Sequence, residues 1–193
     1  KTFINLTLFG STKSTILGDV GVPYDNNNNQ CPRLRFGDVT VNKNSKDIYV
    51  NIDDAGNYPL FVMHDLNVKM GVVKTVGCDG SAPHSQNSYK GIVFDNRPNN
   101  TTLANSIQSV SVGKNTGSLE DAYITIMGAP YNYGGGEGYH QFRLKSDLVL
   151  GHLHIATNGR MVELGKYNLT LKTYDNPGDA NFNNPQSGYI FIT

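Results

Sequence analysis

Residues that could carry chemistry are few in this chain, and most of them gather in one stretch. Residues 128 to 142, GAPYNYGGGEGYHQF, hold five glycines, three tyrosines, one histidine and one glutamate. A phosphate loop is excluded. A dinucleotide fingerprint sets its glycines between a strand and a helix, and a P-loop ends in Gly-Lys-Ser/Thr. No lysine follows these glycines, and His140 to Leu144 alternate as a strand does, so no helix N-terminus is offered to an anion. Two readings remain. One is a plain hairpin loop, rich in glycine for backbone reasons alone. The other is a binding loop. Tyr131 and Tyr133 offer contact area with few rotors to freeze, and Asn132 and the glycines offer adaptable polar contact. Rings of this kind stack on the apolar face of a sugar, while amides and carboxylates take its hydroxyls. The chain has no tryptophan, so stacking falls to tyrosine.

Covalent catalysis finds little support, and the chain is expected not to be an enzyme. A Gly-x-Ser-x-Gly elbow is absent. Glycoside hydrolysis needs a pair of carboxyl groups at a set separation. The glutamates are only Glu120, Glu137 and Glu163, and no pattern marks Glu137 with Asp65 as such a pair. Metal chemistry has one candidate, His152-Leu153-His154. On a strand this spacing puts both imidazoles on one face, half of a zinc site. A third ligand would come from His64, His84 or His140. The alternative is two solvent-facing histidines with Leu153 and Ile155 turned to the core. No cofactor is expected.

The elements that must position these residues read as strands. Ile4, Leu6 and Leu8 alternate with Asn5 and Thr7, and Ile48, Val50 and Ile52 alternate with Asp47, Asn51 and Asp53. Period two marks a half-buried strand. Pro59 to His64 is a nearly continuous apolar run, as in a strand buried on both faces. Ten to twelve short strands, punctuated by Asn, Gly and Pro, predict an all-β fold. The expected form is an elongated β-sandwich or jelly roll with immunoglobulin-like character. No segment carries a three-turn helical stripe. No composition shift divides the chain, so residues 1–193 are expected to form one domain.

Composition narrows the setting. Lys and Arg together equal Asp and Glu, 16 each, so no basic footprint for nucleic acid or an anionic membrane exists. The 23 asparagines and 21 glycines show that uncharged polar groups carry solubility. No apolar run reaches the length of a membrane span, and the start does not read as a signal peptide, so an exported protein is expected here in its mature form. Cys31 and Cys78 both sit beside turn signals, which favours one disulfide in an oxidising compartment. Such a bridge would contribute about 4 kcal/mol on a chain-entropy basis. The alternative is two buried thiols.

At residues 56 to 71, GNYPLFVMHDLNVKMG, the chain resembles the lectin domains of chaperone–usher fimbrial tip adhesins. The run Tyr58-Pro-Leu-Phe-Val with His64 is similar to a strand of the P-pilus galabiose adhesin. Asp65 falls where the N-acetylglucosamine-binding adhesins carry a ligand-binding aspartate. Asn5 to Gly10, and Leu150 to His154 followed by Asn158-Gly159-Arg160, are also similar. The resemblance covers about a third of the chain. It implies a lectin domain at a bacterial fimbrial tip, extracellular, attaching cells to host glycans. A C-terminal pilin domain beyond this stretch would meet the periplasmic chaperone and the next subunit. Asp65 would accept sugar hydroxyls, with Arg160 nearby and Tyr131 or Tyr133 stacking. His64, Asn132, Glu137 and His140 are further polar candidates. Three rivals stand beside it: a structural or protein-binding fimbrial subunit, a zinc-dependent adhesin built on His152, His154 and one more histidine, and a secreted polysaccharide-active enzyme resting on Glu137 or Asp65.

Overall fold

The computed structural model describes residues 4–17, 35–53, 60–76, 91–95, 108–127, 141–155, 161–172 and 189–191. These residues form strands joined by turns, with no helix among them. The strands fall into successive coils. Coil 1 holds β1 (Leu6–Gly10), β2 (Ser14–Leu17) and β3 (Arg35–Phe36), and coil 2 holds β4 (Val39–Lys43), β5 (Tyr49–Asp53) and β6 (Leu60–Val62). Coil 3 holds β7 (Asp65–Val76) and β8 (Ile92–Asp95), and coil 4 holds β9 (Gln108–Val112) and β10 (Gly117–Met127). Coil 5 holds β11 (Gln141–Leu144) and β12 (Leu148–Ile155), and coil 6 holds β13 (Met161–Glu163) and β14 (Leu169–Leu171). The last strand, β15 (Tyr189–Phe191), begins another turn.

Every pairing among these strands is parallel. Sheet A stacks β1, β4, the first half of β7, β9, β11, β13 and β15 in chain order. Sheet B stacks β2, β5, the second half of β7 and the start of β10. Sheet C stacks β3, β6, β8, the end of β10 and β12, and β14 lies on the start of β12. The chain visits the sheets in turn and returns one rung further along, which is a parallel β-helix.

The all-β class expected from the sequence holds for the described residues. The jelly-roll form of that expectation needs correction, because sandwiches and jelly rolls pair their strands antiparallel. Alternation reports only that one face of a strand is buried. It carries no information on the direction of the neighbour.

The interior is built from in-register apolar rows. In sheet A, Leu6, Val39, Leu66, Val110 and Leu144 form one row, and Leu8, Val41, Val68 and Val112 form the next. In sheet C the rows are Leu60, Ile92, Ile124 and Leu153, and Val62, Phe94 and Ile126. These residues belong to, or pack on, one core. Phe94 of sheet C meets Phe142 of sheet A edge-on, ring centroids 4.7 Å apart, which closes the interior between the two sheets. Leu60 to Met63 are buried throughout, as the continuous apolar run predicted. Phe61, Val93 and Thr125, which alternate with the core rows, are buried too, so sheet C is covered on both faces along β6, β8 and the end of β10.

Two devices turn the corners. In β10 the register shifts between Leu119 and Tyr123, so Glu120 and Asp121 both escape the core and the strand passes from sheet B to sheet C. Outside this bulge, Asp121 pairs with Lys74 at 2.9 Å and Glu120 with Lys172. At the start of β8, Gly91 adopts φ +73°, and a Cβ there would stand 2.2 Å from the Tyr123 carbonyl oxygen. Gly165 also has positive φ, +58°, but open space around it.

These contrasts give two expected outcomes. Gly91→Ala should lower stability by about 3 kcal/mol, since backbone must move as well as adopt a strained φ. Gly165→Ala should cost only about 1 kcal/mol. Urea unfolding of both measures the difference, and equal losses would show that the clash at Gly91 relaxes. The second outcome concerns pH. The hydrogen bond from Lys172 holds the Glu120 carboxyl below its ordinary value, and Lys172 is raised in turn. The pair's contribution is therefore full between the two ordinary values. It fades as pH falls through the lowered Glu120 value, and again as pH rises through the raised Lys172 value. Glu120→Gln should remove this component from both limbs of a stability–pH curve, with a small amplitude because the pair is exposed.

Candidate functional site

The corner from sheet C into sheet A takes only two residues, Gly37-Asp38 in the first coil and Met63-His64 in the second. The second stacks on the first. Met63 N–H donates to the Phe36 carbonyl at 2.8 Å and His64 N–H to the Gly37 carbonyl at 3.1 Å. Gln108, buried at the head of β9, completes the corner by donating from Nε2 to the carbonyls of Val62 and Met63, both at 3.0 Å. A buried amide aimed at two carbonyls satisfies backbone groups that a turn would leave exposed to the core.

This corner delivers Asp38, His64 and Asp65 to the margin of sheet A. Asp65 N–H donates to Asp38 Oδ1 at 3.3 Å, and His64 Nδ1 lies 4.0 Å from the same oxygen. Both carboxylate oxygens of Asp65 are engaged from the next coils. Oδ1 accepts from Ser109 Oγ at 2.7 Å, and Oδ2 accepts from Lys145 Nζ at 3.0 Å. Ser109, Arg143 and Glu163 continue the column from Asp65, one residue per coil. Arg143 donates to Glu163 Oε2 from both Nε and Nη2, each at 2.9 Å.

Beside it runs a second column with neutral polar groups: Thr7, Thr40, Asn67 and Ser111, in exact register through four coils. Ser111 Oγ donates to Asn67 Oδ1 at 2.7 Å. Beyond Thr7 on the same face stands Phe9, paired with Asn42 and 73% exposed. The alternation of β1, β4, β7 and β9 explains the face. Leucine and valine turn inward, and every residue between them turns outward. The outer face of sheet A thus brings together an aromatic ring, hydroxyls, amides and carboxylates.

Of the residues expected from the sequence, Asp65 and His64 lie together on this margin. His152 lies elsewhere, on β12, its ring stacked on Tyr123 at 4.2 Å and 11°. His154 is two residues further along the same strand, paired in register with Thr125. Among the described residues no group of three or more His, Cys, Asp or Glu is close enough to hold a metal ion. Tyr131, Asn132, Tyr133, Glu137, His140, Arg160, Cys31, Cys78 and His84 lie outside the described residues. Sequence reasoning missed Phe9, Asp38, Thr40, Asn67, Ser111 and Lys145. Their assembly depends on a register between strands some thirty residues apart, as Thr7 with Thr40 shows.

Comparison with protein-family models, with curated proteins and with solved structures finds no match for this chain.

The Asp65 contacts predict an order of stability. Asp65→Asn keeps an acceptor for Ser109 and loses only a half-exposed ion pair, which should cost below about 1 kcal/mol. Asp65→Ala leaves the buried Ser109 hydroxyl without this acceptor, and should cost about 1–3 kcal/mol. Chemical denaturation of both variants, and of each combined with Ser109→Ala, measures the difference. The second change should recover most of the Asp65→Ala loss.

Proposed function

We propose that this chain is a glycan-binding module of an extracellular bacterial protein, holding sugars on the outer face of sheet A without covalent chemistry. The observation that carries this is the composition of that face: an exposed Phe9 beside Thr7, Thr40, Asn42, Asn67 and Ser111, with carboxylates at its margin. An aromatic ring takes the apolar side of a sugar, and amide and hydroxyl groups, each both donor and acceptor, take its hydroxyls. Nothing in this arrangement calls for a metal. Asp65 serves as a fixed acceptor, oriented by Ser109 and Lys145, each of its oxygens keeping a further lone pair. Tyr131, Tyr133 and their polar neighbours Asn132, Glu137 and His140, with Arg160, belong to the proposal as a second contact region.

The fimbrial setting is proposed on the motif resemblance at residues 56 to 71 and 150 to 160 alone. With it come attachment to host glycans and partners met through a pilin domain. Of the jelly-roll expectation the proposal keeps two features: sheets packed face to face across Phe94 and Phe142, and a Cys31–Cys78 bridge. Single-site affinity would be weak, about −4 to −8 kcal/mol, and many copies per cell would raise avidity.

One observation favours a protein-binding role as the second reading. β1, β2 and β3 each pair on one side only among the described strands, and Ile4 beside them is 77% exposed. An edge of this kind accepts an added strand from another protein.

The test is a broad glycan array probed with the multivalent domain, with and without chelator. Binding to one glycan family should survive chelation. It should fall about tenfold with Phe9→Ala, equivalent to 1.4 kcal/mol, and stay unchanged with Val149→Thr, an exposed position on β12 of sheet C. Loss on chelation would move the site to the histidines. Silence across the array from folded protein would favour the strand-addition role.

A further inference from the structure

We infer that the ligand of sheet A is an uncharged linear polysaccharide lying along the stack, about one sugar to each coil. This rests on the glycan-binding proposal above and narrows it.

Periodicity is the first ground. Thr7, Thr40, Asn67 and Ser111 present one polar side chain per rung through four rungs. Rungs of a parallel sheet repeat at about 4.8 Å. A pyranose unit in an extended chain advances by a similar length. A glycan laid across the strands therefore meets a fresh hydroxyl or amide with each unit, at nearly the same height. Drift between the two repeats accumulates slowly, and small side chains absorb it over a few rungs.

Shape is the second ground. Capture of a single sugar needs a concave site that buries most of the ligand. Alternate residues on one sheet face make a flat strip. A flat strip gains area only by lengthening the ligand.

Orientation is the third. The Ser111 hydroxyl donates to Asn67 Oδ1 at 2.7 Å, which fixes the Asn67 amide and commits its oxygen. The Asn67 NH2 group then has donors to offer a sugar oxygen. Phe9, at the coil 1 end of the strip, supplies a ring on which one sugar can stack.

Charge is the fourth. Among the described residues the face carries Asp38, Asp65 and Glu163 against Lys69, Arg143 and Lys145. Three acids balance three cations. Lys145 is bonded to Asp65 and Arg143 to Glu163, so the charge of each is already compensated by a carboxylate. With acids and cations in balance, this face has no net positive field to draw in a chain of uronic acids or sulfated sugars.

The experiment is calorimetric titration of the whole chain with homologous series of manno-, xylo-, gluco- and chito-oligosaccharides, from disaccharide to heptasaccharide. Polygalacturonate and heparin serve as charged probes. For one series, affinity should climb about three- to tenfold per added unit, the worth of one net hydrogen bond. The climb should stop at four to five units, the length of the column. Thr40→Val and Asn67→Ala should each flatten it, and Val149→Thr should leave it unchanged. Affinity complete at a disaccharide would overturn the inference and leave the glycan-binding proposal standing. So would tighter binding of either charged probe. Binding to branched or terminal glycans on the array, with none to any linear series, would do the same. Silence toward every glycan in both experiments would overturn both.

Discussion

Everything in this molecule depends on one constraint: each strand must lie parallel to, and in register with, the strand one coil earlier. Backbone hydrogen bonds set the rung spacing. The side chains inherit that regularity. Inward residues form apolar rows such as Leu6, Val39, Leu66, Val110 and Leu144. Outward residues form columns on the surface by the same geometry. A slip of one residue would exchange the two sets, placing Asp65 and Asn67 in the core and Leu66 and Val68 in water. Core and surface face are thus specified together.

Where the register must break, the chain uses local chemistry. The two-residue corners at Gly37-Asp38 and Met63-His64 are held by backbone bonds to chain that precedes them, and Gln108 at the head of β9 secures the second. At the first corner of the stack, Lys43 is buried to 2% exposure, and its ammonium donates to the Phe9 carbonyl at 3.1 Å and Ser14 Oγ at 2.7 Å. A cation so placed ties coil 2 to coil 1 and holds the end of β1, the strand that carries Phe9. The polar margin around Asp65 performs a similar task between coils 2, 3, 4 and 5. Groups that hold the stack and groups available to a ligand therefore share one face.

Burial on both faces separates sheet C from sheet A. Leu60 to Met63, with Val93 and Thr125, are covered inside and out, whereas the outer residues of sheet A are largely polar and partly or fully exposed. That asymmetry makes sheet A the surface on which to look for function. It also places His152, stacked on Tyr123, apart from the Asp65 margin.

The sequence by itself determined the all-β class, the alternation of β1 and β5, and the double burial of the run at Leu60. Each is a local property, since period two and continuous apolarity can be read within one strand. It also singled out Asp65 and His64, through a short motif. Strand direction was not legible, because a half-buried strand has the same pattern beside a parallel or an antiparallel neighbour. Nor was the column Thr7, Thr40, Asn67 and Ser111 legible, because its members are spread over a hundred residues and unequal loops separate them. Their meeting is decided by the register of the stack. Register is a sum over the whole core, in which the apolar rows must align simultaneously, so only the tertiary structure fixes it.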